Sequence, residues 1–572
     1  MKSHTQWIGI LNQLYGKAKA ETILDVLLAR LDAYSIQFTS LEVNSDRLSQ
    51  RDVMLITYAD QVTEPDRAPL ASLSSFCVEQ LTGLVNCIHI LPFYPSTSDD
   101  GFSVSDYRLV DPRLGSWQDI ERLRLNFRLM FDGVINHISA QSVWFQAFLQ
   151  NDPVYGDNFI VVNGMPDLSL VVRPRALPLL TRFGEKRVWT TFSSDQVDLN
   201  YKDPQVLLEI IDLLLFYVSH GAEFIRLDAI AYLWKEIGTS CIHLPQVHQI
   251  IQLFRSILDQ TAPFVKLITE TNVAHVDNIS YFGDGANEAQ LVYNFALPPL
   301  ILHTFYSGDA SALMQWADSL RLPSTGRVTF FNFLASHDGI GLNPVRGILS
   351  EAAIGAIVER VLSHAGLVSS KQNSDGSLSP YELNINYFDA LSNPNGGEPV
   401  DLQVERFVAA HAIMLSLVGL PGIYFHSLFG SRGWLEGVLQ TAANRTINRQ
   451  KLTRIELESN MADPTSLRHK VFTRIASLLR ARASSPAFDP YGTQKIFDFG
   501  REVFAILRAS TRADERILCL QNISQNQQTL SRNFVDLFGN SSLVDLFTGQ
   551  SINIQAVLFL DPYQTRWLRI PG

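Results

Sequence analysis

Four short segments of this sequence combine residue types that could together break a glycosidic bond: Asn136-His137, Arg226-Leu227-Asp228, Glu270 and His337-Asp338. Three carboxylates brought to one place raise one another's pKa, a cost that chemistry can justify. A retaining glycoside cleavage uses one ionised carboxylate as nucleophile and one protonated acid about 5–5.5 Å away. A third carboxylate can stabilise the positive charge of the transition state. Arg226 lies two residues before Asp228, on the same face of an extended strand, and its guanidinium favours the ionised form. That suits Asp228 to be the nucleophile. Glu270 has only Thr269, Thr271 and Asn272 as polar neighbours in sequence, so nearby anions would raise its pKa and suit it to be the general acid.

Each segment ends a near-continuous apolar run. Eight such runs occur, at 53–59, 87–93, 128–137, 223–229, 265–271, 290–296, 328–338 and 422–428. Runs of this kind separated by helical stretches predict parallel strands buried on both faces, and eight can close into an α/β (β/α)8 TIM barrel. Active sites of such barrels lie at the C-terminal strand ends, where the polar residues fall.

The remaining chain divides around that barrel. Residues 1–50 read as a helical extension. The barrel occupies 51–137, 205–365 and 401–489. An inserted subdomain fills 138–204 after strand 3, and a polar, lid-like insertion fills 366–400 after strand 7. Residues 490–572 read as an all-β C-terminal domain.

The balance of 46 basic against 57 acidic residues, a net charge of −11, argues against nucleic acid or an anionic membrane as partner. It leaves room for a small anionic substrate held by local arginines. Cys77, Cys87, Cys241 and Cys519 show no CxxC spacing and read as reduced packing thiols. No signal peptide or bilayer-length apolar segment is present, which predicts a cytoplasmic protein, as a monomer or homodimer.

Together the segments Asp132-to-His137, Arg226-to-Asp228, Glu270 and His337-Asp338 resemble the four signature regions of the α-amylase family, in order and in barrel position. The resemblance implies Asp228 as nucleophile, Glu270 as acid/base and Asp338 as transition-state stabiliser, with His137 and His337 on sugar hydroxyls. Residues 91–117, 173–180, 195–200, 235–241, 294–303, 336–342 and 444–449 further resemble the sucrose phosphorylase group of that family. In that group Asp99 would contact glucose hydroxyls, Phe102 would form an aromatic platform and Gln196 would lie near the acceptor. Arg226 and Tyr232 count among the substrate-binding positions. Arg175, Tyr381 and Arg445 would line the phosphate or acceptor site. Asn136 matches a calcium-binding position of many amylases, but phosphorylases of this group usually lack the ion. No metal or other cofactor is expected.

The group divides by leaving group. Sucrose phosphorylases carry Asp-x-Tyr-Gln in the strand-7 loop, where this chain has Ser379-Pro380-Tyr381-Glu382. A free carboxylate at Glu382 would repel glycerate or a sugar phosphate and accept hydrogen bonds from hydroxyls. On that basis the expected partners are an α-glucoside (2-O-α-glucosylglycerol), inorganic phosphate and a polyol acceptor, glycerol. If Glu382 instead pairs with an arginine such as Arg445, glycerate is restored as the acceptor. Sucrose, sucrose 6-phosphate and simple hydrolysis or transglucosylation are the other readings of the same site. A binding-only barrel would have no reason to keep all three carboxylates.

Overall fold

A computed structural model of the chain describes residues 2–39, 47–373, 376–530, 542–553 and 557–570. The other residues of the extension, lid and C-terminal domain lie outside the described part. The eight apolar runs each supply one strand of a closed parallel barrel: β1 (Met54–Thr57), β2 (Cys87–Ile90), β3 (Arg128–Gly133), β4 (Ala222–Leu227), β5 (Lys266–Thr269), β6 (Leu291–Tyr293), β7 (Thr329–Asn332) and β8 (Leu420–Tyr424). All their residues are buried. That is why they read as continuous rather than alternating apolar runs.

Two helices precede the barrel, α1 (Lys2–Tyr15) and α2 (Lys17–Thr39). They dock on its outer helices: Trp7 Nε1 donates to Ser256 Oγ at 2.9 Å, and Arg30 reaches the Leu208 carbonyl and Glu209. After β3 come two antiparallel pairs, His137–Ser139 with Gln196–Asp198 and Leu180–Phe183 with Lys186–Trp189. At the C-terminus a six-stranded antiparallel sheet starts at Thr493 and takes Thr565–Ile570 into its middle.

The stretch after β7, polar enough to read as a loop, is folded. Leu367–Gln372 and Leu378–Asn384 form a hairpin, and Ile340–Gly341 joins it as a third strand. The register sets Gly341 opposite Glu382. Gly339 is needed there: a Cβ would collide with the Leu383 carbonyl and the Glu382 side chain. The Asp338-Gly339-Ile340-Gly341 sequence thus lets the hairpin lie directly over the strand end that carries Asp338.

All four cysteines are buried free thiols. Among the described residues no helix is long and apolar enough to cross a membrane.

Candidate active site

Register places the chemistry. Leu227 of β4 pairs with Thr269 of β5, so Asp228 and Glu270, each one residue further on, emerge level with each other. Ala229 follows Asp228 in the left-handed region, with φ at 49°. That conformation costs a non-glycine residue roughly 1 kcal/mol or more. It turns the Ala229 N–H toward Glu270 Oε2, which accepts it at 3.1 Å.

One chamber of about 80 Å³ gathers every sequence-predicted contact residue except Arg226. Its walls include the carboxylates Asp99, Asp228, Glu270, Asp338 and Glu382, the arginines Arg175 and Arg445, and Phe102, His137, Gln196, Tyr232, His337 and Tyr381. Arg226 lies beneath, buried, with Nη1 shared between Asp132 and Asp228 (2.9 Å to the latter) and Nη2 3.9 Å from Glu270.

Burial pushes both Asp228 and Glu270 above the usual carboxylate range, against the pull of Arg226 and with the repulsion of neighbouring carboxylates. Arg226 makes the direct guanidinium bond to Asp228, at 2.9 Å, and the longer contact to Glu270, at 3.9 Å, so the pull toward ionisation is the stronger at Asp228. That asymmetry suits Asp228 to the nucleophile's role and Glu270 to the acid's.

The wall formed by Phe102, His137, Gln196 and His337 is held by stacking and hydrogen bonds. His337 stacks on Phe102 with centroids 4.7 Å apart and planes within 4°. Burial keeps His337 and His137 below the ordinary imidazole pKa, so both are neutral near pH 7. His137 Nε2 lies 2.9 Å from the Phe102 carbonyl, and Gln196 donates to the same oxygen at 3.2 Å. Tyr232 meets Phe192 edge-on at 5.5 Å.

Four residues that sequence reasoning did not assign also build the site. Arg449 donates to the His337 carbonyl at 3.0 Å and lies 3.7 Å from Asp99 and 3.8 Å from Asp338. It closes the Asn-Arg-Thr-Ile-Asn-Arg run, whose two arginines were the available signal. His89 and Asp132 form a buried pair at 2.6 Å beneath Arg226. Lys235 donates to Asn136 Oδ1 at 2.8 Å and lies 2.5 Å from Asp198, so the Asn136 carboxamide oxygen holds an ammonium. Among the described residues no group of three or more His, Cys, Asp or Glu could hold a metal ion.

The largest departure concerns Glu382. It is not a free carboxylate facing an acceptor. Arg445 grips it with Nε on Oε1 at 3.0 Å and Nη2 on Oε2 at 2.6 Å. Burial alone would raise Glu382, but Arg445 overrides it and holds the carboxyl low and ionised. Asn384 donates to Oε1 as well, at 2.8 Å. The charge argument that favoured glycerol over glycerate therefore fails, because the charge is already neutralised. Arg445 is equally committed: its Nη1 lies 2.5 Å from Asp338. Among the described residues Arg175 makes no hydrogen bond and no ion pair within 4 Å, so it is the uncommitted guanidinium of the chamber.

Comparison with known proteins agrees with this geometry. The family described as alpha amylase, catalytic domain, matches residues 80–338. The glucosylglycerate phosphorylase of Allomeiothermus silvanus is 51% identical over 524 residues, 91% of each chain. The glucosylglycerol phosphorylase of Marinobacter adhaerens is 30% identical, over 77% of this chain and 89% of its own. Among solved structures, sucrose 6F-phosphate phosphorylase from Thermoanaerobacter thermosaccharolyticum superposes with a TM-score of 0.73 at 24% identity, covering 90% of this chain and 100% of that one. The last shows the common fold. A catalytic barrel with this carboxylate trio and relatives at this identity places the chain in the α-amylase family, among its glucoside phosphorylases.

Proposed function

We propose that the protein is a retaining glucosylglycerate phosphorylase, converting glucosylglycerate and phosphate to α-glucose 1-phosphate and glycerate. The observation that carries this reading is the pairing of Glu382 with Arg445. It gives the Glu382 carboxylate a guanidinium partner and, among the described residues, leaves Arg175 without a hydrogen bond or ion pair in the same chamber. An acceptor carboxylate, and later a phosphate, then meets a guanidinium fork suited to both. The 51% identity to a glucosylglycerate phosphorylase, against 30% to a glucosylglycerol phosphorylase, supports the same choice.

In the first step Asp228 attacks the anomeric carbon while the bond to the glycerate oxygen breaks. Glu270 gives that oxygen its proton, and glycerate leaves against Arg175. In the second step phosphate attacks the glucosyl ester through an oxygen whose proton Glu270 takes back, and Asp228 is released. Two displacements retain the α configuration. Asp338, fixed by Arg445, faces the developing positive charge. Tyr381 and Pro174 are walls of a chamber of only about 80 Å³, a space that disfavours attack by bulk water although water is present at roughly 55 M.

Incubation with glucosylglycerate, with and without phosphate, tests the reading. It predicts phosphate-dependent release of α-glucose 1-phosphate and glycerate in equal amounts. Glucose release that does not depend on phosphate, or β-glucose 1-phosphate as first product, would overturn it.

A further inference from the structure

A second chamber of about 730 Å³ adjoins the catalytic one. The two share Pro174, Tyr232, Asn272, Val273 and Tyr381 as walls, so the outer chamber is the antechamber of the inner. Its charged lining is Arg173, Arg346 and Lys371 against Asp277 alone. Its one imidazole, His243, is kept neutral by burial and has its Nδ1 2.8 Å from the Tyr281 hydroxyl.

These cations are incompletely used. Arg173 and Arg346 each bury an Nε that has no hydrogen-bond partner. Lys371 Nζ meets only a neutral carboxamide oxygen, Asn343 Oδ1 at 3.2 Å. Arg346 is held from outside the chamber by Glu351 at 2.6 Å, which fixes its position. Three cationic side chains lining one chamber with a single carboxylate, Asp277, suit a small anion. Arg173 and Arg175 flank Pro174 on one loop, Arg173 in the outer wall and Arg175 in the inner.

We infer that the outer chamber is an anion-capture site, built by Arg346, Lys371 and Arg173, which takes inorganic phosphate and the carboxylate acceptor before they pass Tyr381 to Arg175. This rests on the phosphorylase reading. A chain of net charge −11 repels small anions, while both substrates and both products of the proposed reaction are anions. A local basic chamber raises the anion concentration where it is needed and does so less at high salt.

The test uses the full-length enzyme with α-glucosyl fluoride, a neutral donor. The glucosyl-enzyme then partitions between water, giving glucose, and phosphate, giving α-glucose 1-phosphate. That ratio is independent of how much variant is folded. Lys371→Gln and Arg346→Gln should each raise the phosphate concentration that splits the products equally by about three- to tenfold. They should also flatten its dependence on potassium chloride, and Lys371→Arg should restore the wild-type ratio. With glycerate as acceptor the same loss is expected; with glycerol, none. An unchanged split in both variants, or an equal loss with glycerol, overturns the inference while the phosphorylase reading stands. A wild-type enzyme that yields only glucose at every phosphate concentration overturns that reading first, and the inference with it.

Discussion

Arg445 holds Glu382 through two nearly parallel contacts, 3.0 and 2.6 Å long, and reaches Asp338 with its third nitrogen. The hairpin carboxylate thus braces the guanidinium that reaches Asp338. Glu382→Gln removes one charge of a largely buried pair, a loss of about 3–5 kcal/mol where no other group compensates. The variant should unfold at lower temperature and show a lower kcat, with the glycerate-to-glycerol preference unchanged. Thermal unfolding and parallel acceptor kinetics check this; a swing toward glycerate at the expense of glycerol would restore Glu382 as the selector.

Arg175 has the opposite standing, a chamber cation with no hydrogen bond and no ion pair within 4 Å among the described residues. Arg175→Gln should raise the KM for phosphate about ten- to a hundredfold, the value of a charge-assisted contact of roughly 1.5–3 kcal/mol. The proportion of glucose among the products should rise with it. An unaltered phosphate KM would move the anion site away from this residue.

The eight strands were legible because a strand buried on both faces leaves no room for alternation. Asp228, Glu270 and Asp338 were legible because each ends such a run. The pairing of Glu382 with Arg445 was legible only as the alternative to a free carboxylate. Arg445 lies 63 residues further along the chain, and only the register of the hairpin against Ile340–Gly341 brings the two together. A charge read from one residue has a sign but no neighbours, so the acceptor argument built on Glu382 inverted once its guanidinium was in view. His89 was hidden for a related reason: within the run Cys87–Ile90 it reads as one more buried position.

His89 is a positioning residue. It bonds Asp132, which bonds Arg226, which bonds Asp228. Burial keeps His89 neutral, while Arg226 and His89 outweigh burial and hold Asp132 down at about 2. His89→Leu strands one Asp132 oxygen and frees Arg226 to shift. It should lower kcat about tenfold with little change in KM, an effect of roughly 1.4 kcal/mol on the transition state alone. His89→Gln, which restores a donor, should recover part of it. Equal changes in kcat and KM for both variants would argue for a merely structural role.

Glu270 costs stability where it works. Its folded pKa is raised, so the unfolded chain gives up the proton at lower pH. Stability contributed by the protonated form is full below the unfolded value. It is lost as pH rises from there through the folded value. Glu270→Gln keeps the acceptor for the Ala229 N–H and removes the titration. It should raise the melting temperature by roughly 1–3 °C at pH 8 and change it little at pH 4. An equal shift at both pH values would detach the effect from ionisation.

A carboxylate acceptor met by Arg175, with the rival charge of Glu382 cancelled by Arg445, should outcompete a neutral polyol. Competition in the synthetic direction measures this: α-glucose 1-phosphate with equimolar glycerate and glycerol, products separated and counted at early times. Glucosylglycerate should form in large excess. Glucosylglycerol as the main product would exclude a carboxylate acceptor.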